Sequence, residues 1–194
     1  MNELKAIAET NQEIKSIMHA AESISLTATN AILIANQAGH NAVGFSVVAR
    51  ELRVFSEKMA TAMQGLSGLI YQQVEATASK RHLARNQDLL NKVGACGGLA
   101  QTRIAAACAR SQAGVDEMER LIASLMHELQ VMMKRIEKQC STGLVIARSA
   151  GIEAAYGGAL AQVLHQIAVV VADVTDNIFM RVKKLELRLT EAVL

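Results

Sequence analysis

Residues 3–39 read ELKAIAETNQEIKSIMHAAESISLTATNAILIANQAG, and their spacing decides the fold. Leu4, Ile7, Asn11, Ile14, Met18, Ala21, Ser25, Ala28, Ile32 and Ala35 follow alternating steps of three and four, and most of them are apolar. Ile17, Ile24 and Ala31 sit beside this stripe and widen it. A stripe three positions wide in seven is the inward face of a bundle helix rather than the narrow seam of a coiled-coil dimer. Gly39, suited to the left-handed conformation that ends helices, marks the stop.

Three further stripes follow. The second is Phe45, Val48, Leu52, Phe55, Met59, Ala62, Leu66 and Leu69, continuing more weakly through Ala76, Leu83 and Leu90. The third runs through Ile104, Cys108, Val115, Met118, Ile122, Leu125, Leu129, Met132, Ile136 and Cys140. The fourth is Leu160, Leu164, Ile167, Val171, Val174, Ile178, Leu185 and Leu189. Glycine-bearing breaks near 39–43, 94–99 and 151–158 separate them, and short connections make antiparallel neighbours. The spacing therefore predicts an all-α, long antiparallel four-helix bundle built from coiled-coil hairpins. It is read as one domain over 1–194, with hairpins 1–93 and 99–194 and helices of about 40 residues, each ~60 Å long at ~1.5 Å per residue.

Composition agrees. Of 194 residues 51% are apolar, aromatics are 3%, and proline and tryptophan are absent; an all-β or α/β domain needs prolines in turns and aromatic or β-branched strands. The net charge of +2 gives no electrostatic footprint for nucleic acid. The basic group Lys80-Arg81-His82 with Arg85 has no interleaved aromatics for base stacking and is read as a solvated face. The polar start carries no signal peptide, and the longest strong apolar run, Ile167 to Ala172, falls short of the ~20 residues of a membrane helix. A cytoplasmic protein without membrane insertion is expected. Cys96, Cys108 and Cys140 form no CxxC pair and are expected as reduced core thiols.

Residues 30–49, NAILIANQAGHNAVGFSVVA, followed by RELRVFSEKMA, carry a more specific pattern. The stretch resembles the hairpin tip of the cytoplasmic signalling domain of bacterial chemoreceptors, the methyl-accepting chemotaxis proteins. The matching positions are Asn30, Ala31, Ala35, Ala38, Gly39, Gly44, Phe45, Val47, Val48, Ala49, Glu51 and Arg53, ungapped over about thirty residues. The resemblance implies signal transduction through protein contacts at the tip, with a chemotaxis-type histidine kinase, its coupling adaptor or other receptors as partners, and self-association of the chain. It places the interaction at Asn30, Ile34, Gln37, His40, Phe45 and Val47. The chain departs from the family pattern where a glutamate becomes Ile34, an arginine Gln37 and a glutamate His40, which removes charge-assisted hydrogen bonds. Ile34 is expected either to face solvent in an apolar patch with Leu33 or Val43, or to turn inward. The first arm is too short to carry the family's methylated Glx pairs, so methylation is not expected.

A shift of 112 residues lays Ile32–Gly39 on Leu144–Gly151, and Val48, Ala49 and Leu52 on Leu160, Ala161 and Leu164. An internal duplication would let one chain supply both hairpins, with both tips at one end. His19, His40, His82, His127 and His165 are scattered without HExxH or ExxH spacing, so no metal or cofactor is expected. His19 is placed towards solvent. No nucleophile elbow or phosphate loop is present, and enzymatic activity is not expected. Two other readings stand beside signalling: a ligand- or haem-binding bundle sensor, and a non-signalling helical scaffold.

Overall fold

The computed structural model describes the backbone of residues 2–94, 101–156, 158 and 161–191, and most side chains between 9 and 187. It contains four long helices: α1 (Asn2–Ala38), α2 (Val43–Gly94), α3 (Gln101–Ala155) and α4 (Ala161–Glu191), with a 3₁₀ turn (Gly39–Ala42) between α1 and α2. Among the described residues there is no strand, and the all-α expectation holds. The helices are 37, 52, 55 and 31 residues long rather than uniformly near 40. The side chains of Leu4, Ile7, Leu160 and Leu189, the thiol of Cys96 and the break at 95–100 lie outside the described residues.

The chain divides into two compact units, residues 1–67 with 132–194, and residues 68–131. The division cuts across α2 and α3 instead of falling between the hairpins 1–93 and 99–194.

Unit 1 is an antiparallel four-helix bundle. Ser56 on α2 donates a hydrogen bond to the Ala21 carbonyl on α1 at 2.6 Å. Phe55 on α2 lies against Gly143 on α3. Lys183 on α4 pairs with Glu137 on α3, and Glu13 on α1 accepts from Arg181 and Lys184 on α4 at 2.9 and 2.7 Å. These contacts close a ring in chain order, α1 to α4. In each pair the residue numbers run in opposite directions, so the chain passes up, down, up and down.

The core of this unit keeps one heptad register. On α1 the buried positions are Ile14, Ile17, Ala21, Ile24, Ala28, Ala31 and Ala35; on α2 they include Phe45, Ala49, Leu52, Ser56, Met59, Met63 and Leu66. On α3 they include Leu129, Met133, Ile136, Cys140, Ala147, Ala150 and Ala154, and on α4 Leu164, Ala168, Val171, Thr175, Ile178, Val182 and Leu185. Every one of these residues is separated from Ile14 or Ile17 by whole heptads, so the turns preserve the register. Small residues at alternate layers let backbones approach. At Gly143 an added Cβ would come within 2.6 Å of the Phe55 ring.

This register corrects the expected stripes. Ile17, Ile24 and Ala31, read as flanking, are the centre of the core, whereas Met18, Ser25 and Ile32 are half-buried at its edge. Val48 and Ile167 are likewise half-buried, and Met133 replaces Met132 in the core. On α1 the expected stripe shares Ile14, Ala21, Ala28 and Ala35 with the core and errs in its second row, which runs one residue beyond Ile17, Ile24 and Ala31.

In unit 2 the second half of α2 pairs antiparallel with the first half of α3. Gln73 reaches Met126, Lys80 forms an ion pair with Glu119 at 2.8 Å, and Gln87 bonds Gln112, so the rungs are one heptad apart. Ser111 donates to the Leu83 carbonyl at 3.3 Å. The seam is rotated relative to that of unit 1. It runs through Leu69, Gln73, Ala76, Lys80, Leu83, Gln87 and Leu90 on α2, and Ile104, Cys108, Ser111, Val115, Met118, Ile122 and Leu125 on α3; most of these are half-buried. The sequence stripe of α3 matches this seam, and its error at Met132 comes from extending it past the rotation.

Candidate interaction surface at the hairpin tip

Gly39 ends α1 with φ +66°, the left-handed conformation that residues with a Cβ adopt at a cost. After the 3₁₀ turn, Ala42 and Phe45, each 1% exposed, are buried in the bundle. Phe45, expected in the interaction site, is therefore a buried core plug behind the turn. Gly44 leaves room for the carboxylate of Glu153 from α3, which a Cβ at position 44 would overlap. A carboxylate there faces the first turn of α2, where the helix dipole favours negative charge. The contact also fixes the end of α3 beside the first turn, so both connections of unit 1 lie at one end.

The second connection differs from the first. Gly151 stays helical inside α3, which runs on to Ala155, and the left-handed glycine is Gly158 with φ +57°. The turn expected across 151–158 thus begins after Ala155. The 112-residue shift overlays the buried registers because it equals sixteen heptads. It does not overlay the turns, since Gly39 meets a helical Gly151.

Of the other expected site residues, Asn30, Gln37, His40 and Val47 are exposed and Ile34 is half-buried in the α1 flank. Around them lie Leu26, Leu33 and Val43 at 69%, 58% and 55% exposure, with Val47 at 54%. No Asp, Glu, Lys or Arg occurs from Ser23 to Ala49, a run of 27 residues. The second hairpin brings Val145, Ile152, Tyr156, Val163 and Val170 to the same end, all exposed, and Ala154 to Ala172 is also without charge. Val54, Val145 and Ile152 were absent from the sequence-based site. Their signal was an aliphatic residue at the heptad position opposite the core, a place where bundle helices ordinarily carry polar groups.

Elsewhere the surface offers little chemistry. Among the described residues no group of three or more His, Cys, Asp or Glu side chains is assembled. His19 is exposed, 3.4 Å from Glu22. Cys140 is buried in the core, where desolvation raises its thiol to about 12; Cys108 is half-buried beside Asn91. An open groove of about 280 Å³ lies between Ala76, Ser79, Met118 and Leu125 in unit 2. Helix α4 is long and apolar enough over Ala161–Leu187 to cross a membrane by length and composition alone, a test that the core helix of a bundle also passes. Here its Leu164, Val171, Ile178 and Leu185 face inward.

The fold defines the class, an all-α helical bundle of hairpins. The chain matches no protein-family model, no curated protein and no solved structure.

Proposed function

We propose that this chain is a protein-interaction module of the chemoreceptor signalling type, without enzymatic activity of its own, that docks through the uncharged tip of unit 1. The observation that carries the reading is an uncharged hairpin end whose exposed aliphatic residues are held by a well-packed turn. Apolar patches on an otherwise charged surface mark binding sites. The partner is a chemotaxis-type histidine kinase with its coupling adaptor, acting in the cytoplasm. Relative to the receptor pattern, the tip trades charge for Ile34, Gln37 and His40, so the contact is apolar and neutral rather than charge-assisted.

The test is the double change Ile34→Glu with Gln37→Arg, assayed by co-sedimentation with purified kinase and adaptor, by kinase autophosphorylation and by melting. Altered capture with unchanged melting supports a tip interface. No capture by either form, or lower melting with unchanged capture, overturns it.

A further inference from the structure

We infer that the groove of unit 2 seats a second copy of this chain, in an antiparallel two-fold dimer centred at Gly114 on α3. The inference is independent of the tip reading, because it uses neither the tip nor the residues that carry the chemoreceptor resemblance. The groove lies between α2 and α3, with Glu75, Ala76 and Ser79 on one wall and Met118, Leu121 and Leu125 on the other. Leu121 stays 43% exposed at its rim.

The face of α3 that borders the groove indicates what fills it. Arg103, Arg110 and Glu117 lie one heptad apart and are exposed; Ala107, Gly114, Leu121 and Glu128 form the adjacent row. Positions a heptad apart, ~10.5 Å along the axis, share one side of such a helix. The charge on this side is divided: both arginines precede Gly114 and both glutamates follow it. Three and four positions from either arginine stand only Ala, Gly and Leu, so α3 offers them no intrahelical partner. Among the described residues, Glu75, Arg103, Arg110, Glu117 and Glu128 enter no ion pair.

A second α3 laid antiparallel about Gly114 joins the two halves. Arg110 then falls beside the second copy's Glu117, Ala107 opposite its Leu121, and Arg103 opposite its Leu125. The contact is isologous, so each pairing occurs twice. The aliphatic stems of the arginines lie along the groove, and their guanidinium groups meet Glu75, Glu117 and Glu128 at its rim. Parallel packing would set arginine against arginine, so like charges select the direction. From 103 to 128 the contact is ~38 Å long, and with the α2 wall it is about two helix diameters, ~20 Å, across. That approaches the ~800 Å² that each partner of a stable dimer buries. A face divided in sign suits its own two-fold copy and not a uniformly negative bilayer or nucleic acid.

The experiment is sedimentation velocity of the full chain over a range of concentrations, at low and high salt, with melting recorded alongside. Expected is a monomer–dimer equilibrium that weakens as salt rises. Arg110→Glu and Glu117→Arg should each raise the dissociation constant about tenfold without changing the melting temperature. The two changes combined in one chain should recover the dimer, because position 110 again meets an opposite charge at 117 of the other copy. Ile34→Glu with Gln37→Arg at the tip should leave the dimer unaltered, which separates this contact from the tip interface. A chain monomeric at every concentration, a dimer indifferent to both single reversals, a combined variant no better than the singles, or a dimer lost with the tip change overturns the inference. Should either reversal melt early, Arg103→Gln and Glu128→Gln are measured instead, and undiminished association in both also overturns it.

Discussion

Phe55 and Gly143 form a fitted pair across α2 and α3. The ring is 4% exposed, and a methyl group at position 143 would sit 2.6 Å from it. Overpacking of this kind costs about 1–3 kcal/mol, so Gly143→Ala should lower stability despite its gain in helix propensity. Phe55→Ala should cost about 3–5 kcal/mol through the cavity it leaves. Chemical denaturation of the two single variants and the double checks this: if the pair is coupled, the double loses less than the sum. At the other end of the bundle, Glu13 is 8% exposed and accepts from Lys184 and Arg181. The Lys184 hydrogen bond, aided by Arg181, holds its carboxyl below the ordinary 4.5 against the opposing effect of burial. A carboxyl with a lowered folded-state pKa adds stability above its unfolded value and loses it as the pH falls through the folded one. Wild type should therefore lose its advantage over Glu13→Gln as the pH drops below about 4.5, measured as melting temperature across pH 7 to 3. Parallel curves would mean the ion pairs contribute nothing.

At the scale of elements, the heptad pattern made helix number, order and first turn legible, because period and glycine placement follow from backbone geometry alone. Which side of each helix faces inward was less legible. Ala28 and Ala35 fall in the expected stripe, but Ala147, Ala150, Ala168 and Thr175 carry little hydrophobic weight and do not, although all four are buried in the core. The rotated seam of α2 and α3 was also hidden, since Leu69, Ala76 and Leu83 look like a fading continuation of the same stripe. At the tip, the exposure of Asn30, Gln37 and His40 follows from their outward positions, while Phe45 went inward because the 3₁₀ turn aims it at the core. The turn itself is testable. Gly39→Ala places a Cβ on a residue at φ +66° with nothing within 4 Å, so the penalty is conformational only. It should cost about 1–2 kcal/mol; a neutral outcome would show that the turn relaxes to negative φ.

For the molecule as a whole, the two units differ in what fills their seams. Unit 1 buries large side chains on four helices, including Phe45, Leu52, Met59, Leu129, Leu164 and Ile178. In unit 2 every second rung is polar, with Gln73 on Met126, Lys80 on Glu119 and Gln87 on Gln112. Exposed ion pairs and amide contacts contribute about 0–1 kcal/mol each, and two helices enclose far less apolar surface than four. Local opening free energies follow buried apolar area. Amides of 73–93 and 102–122 should thus exchange with solvent well before those of 17–35, 45–66, 133–154 and 164–182, although α2 and α3 each run through both sets. Replacing the Gln87 and Gln112 rung by leucines should slow exchange in unit 2 selectively, by an amount corresponding to about 1–3 kcal/mol for the apolar surface removed from water. Uniform protection along α2 in the wild type would show that the helices unfold as single rods and that the polar seam sets no boundary.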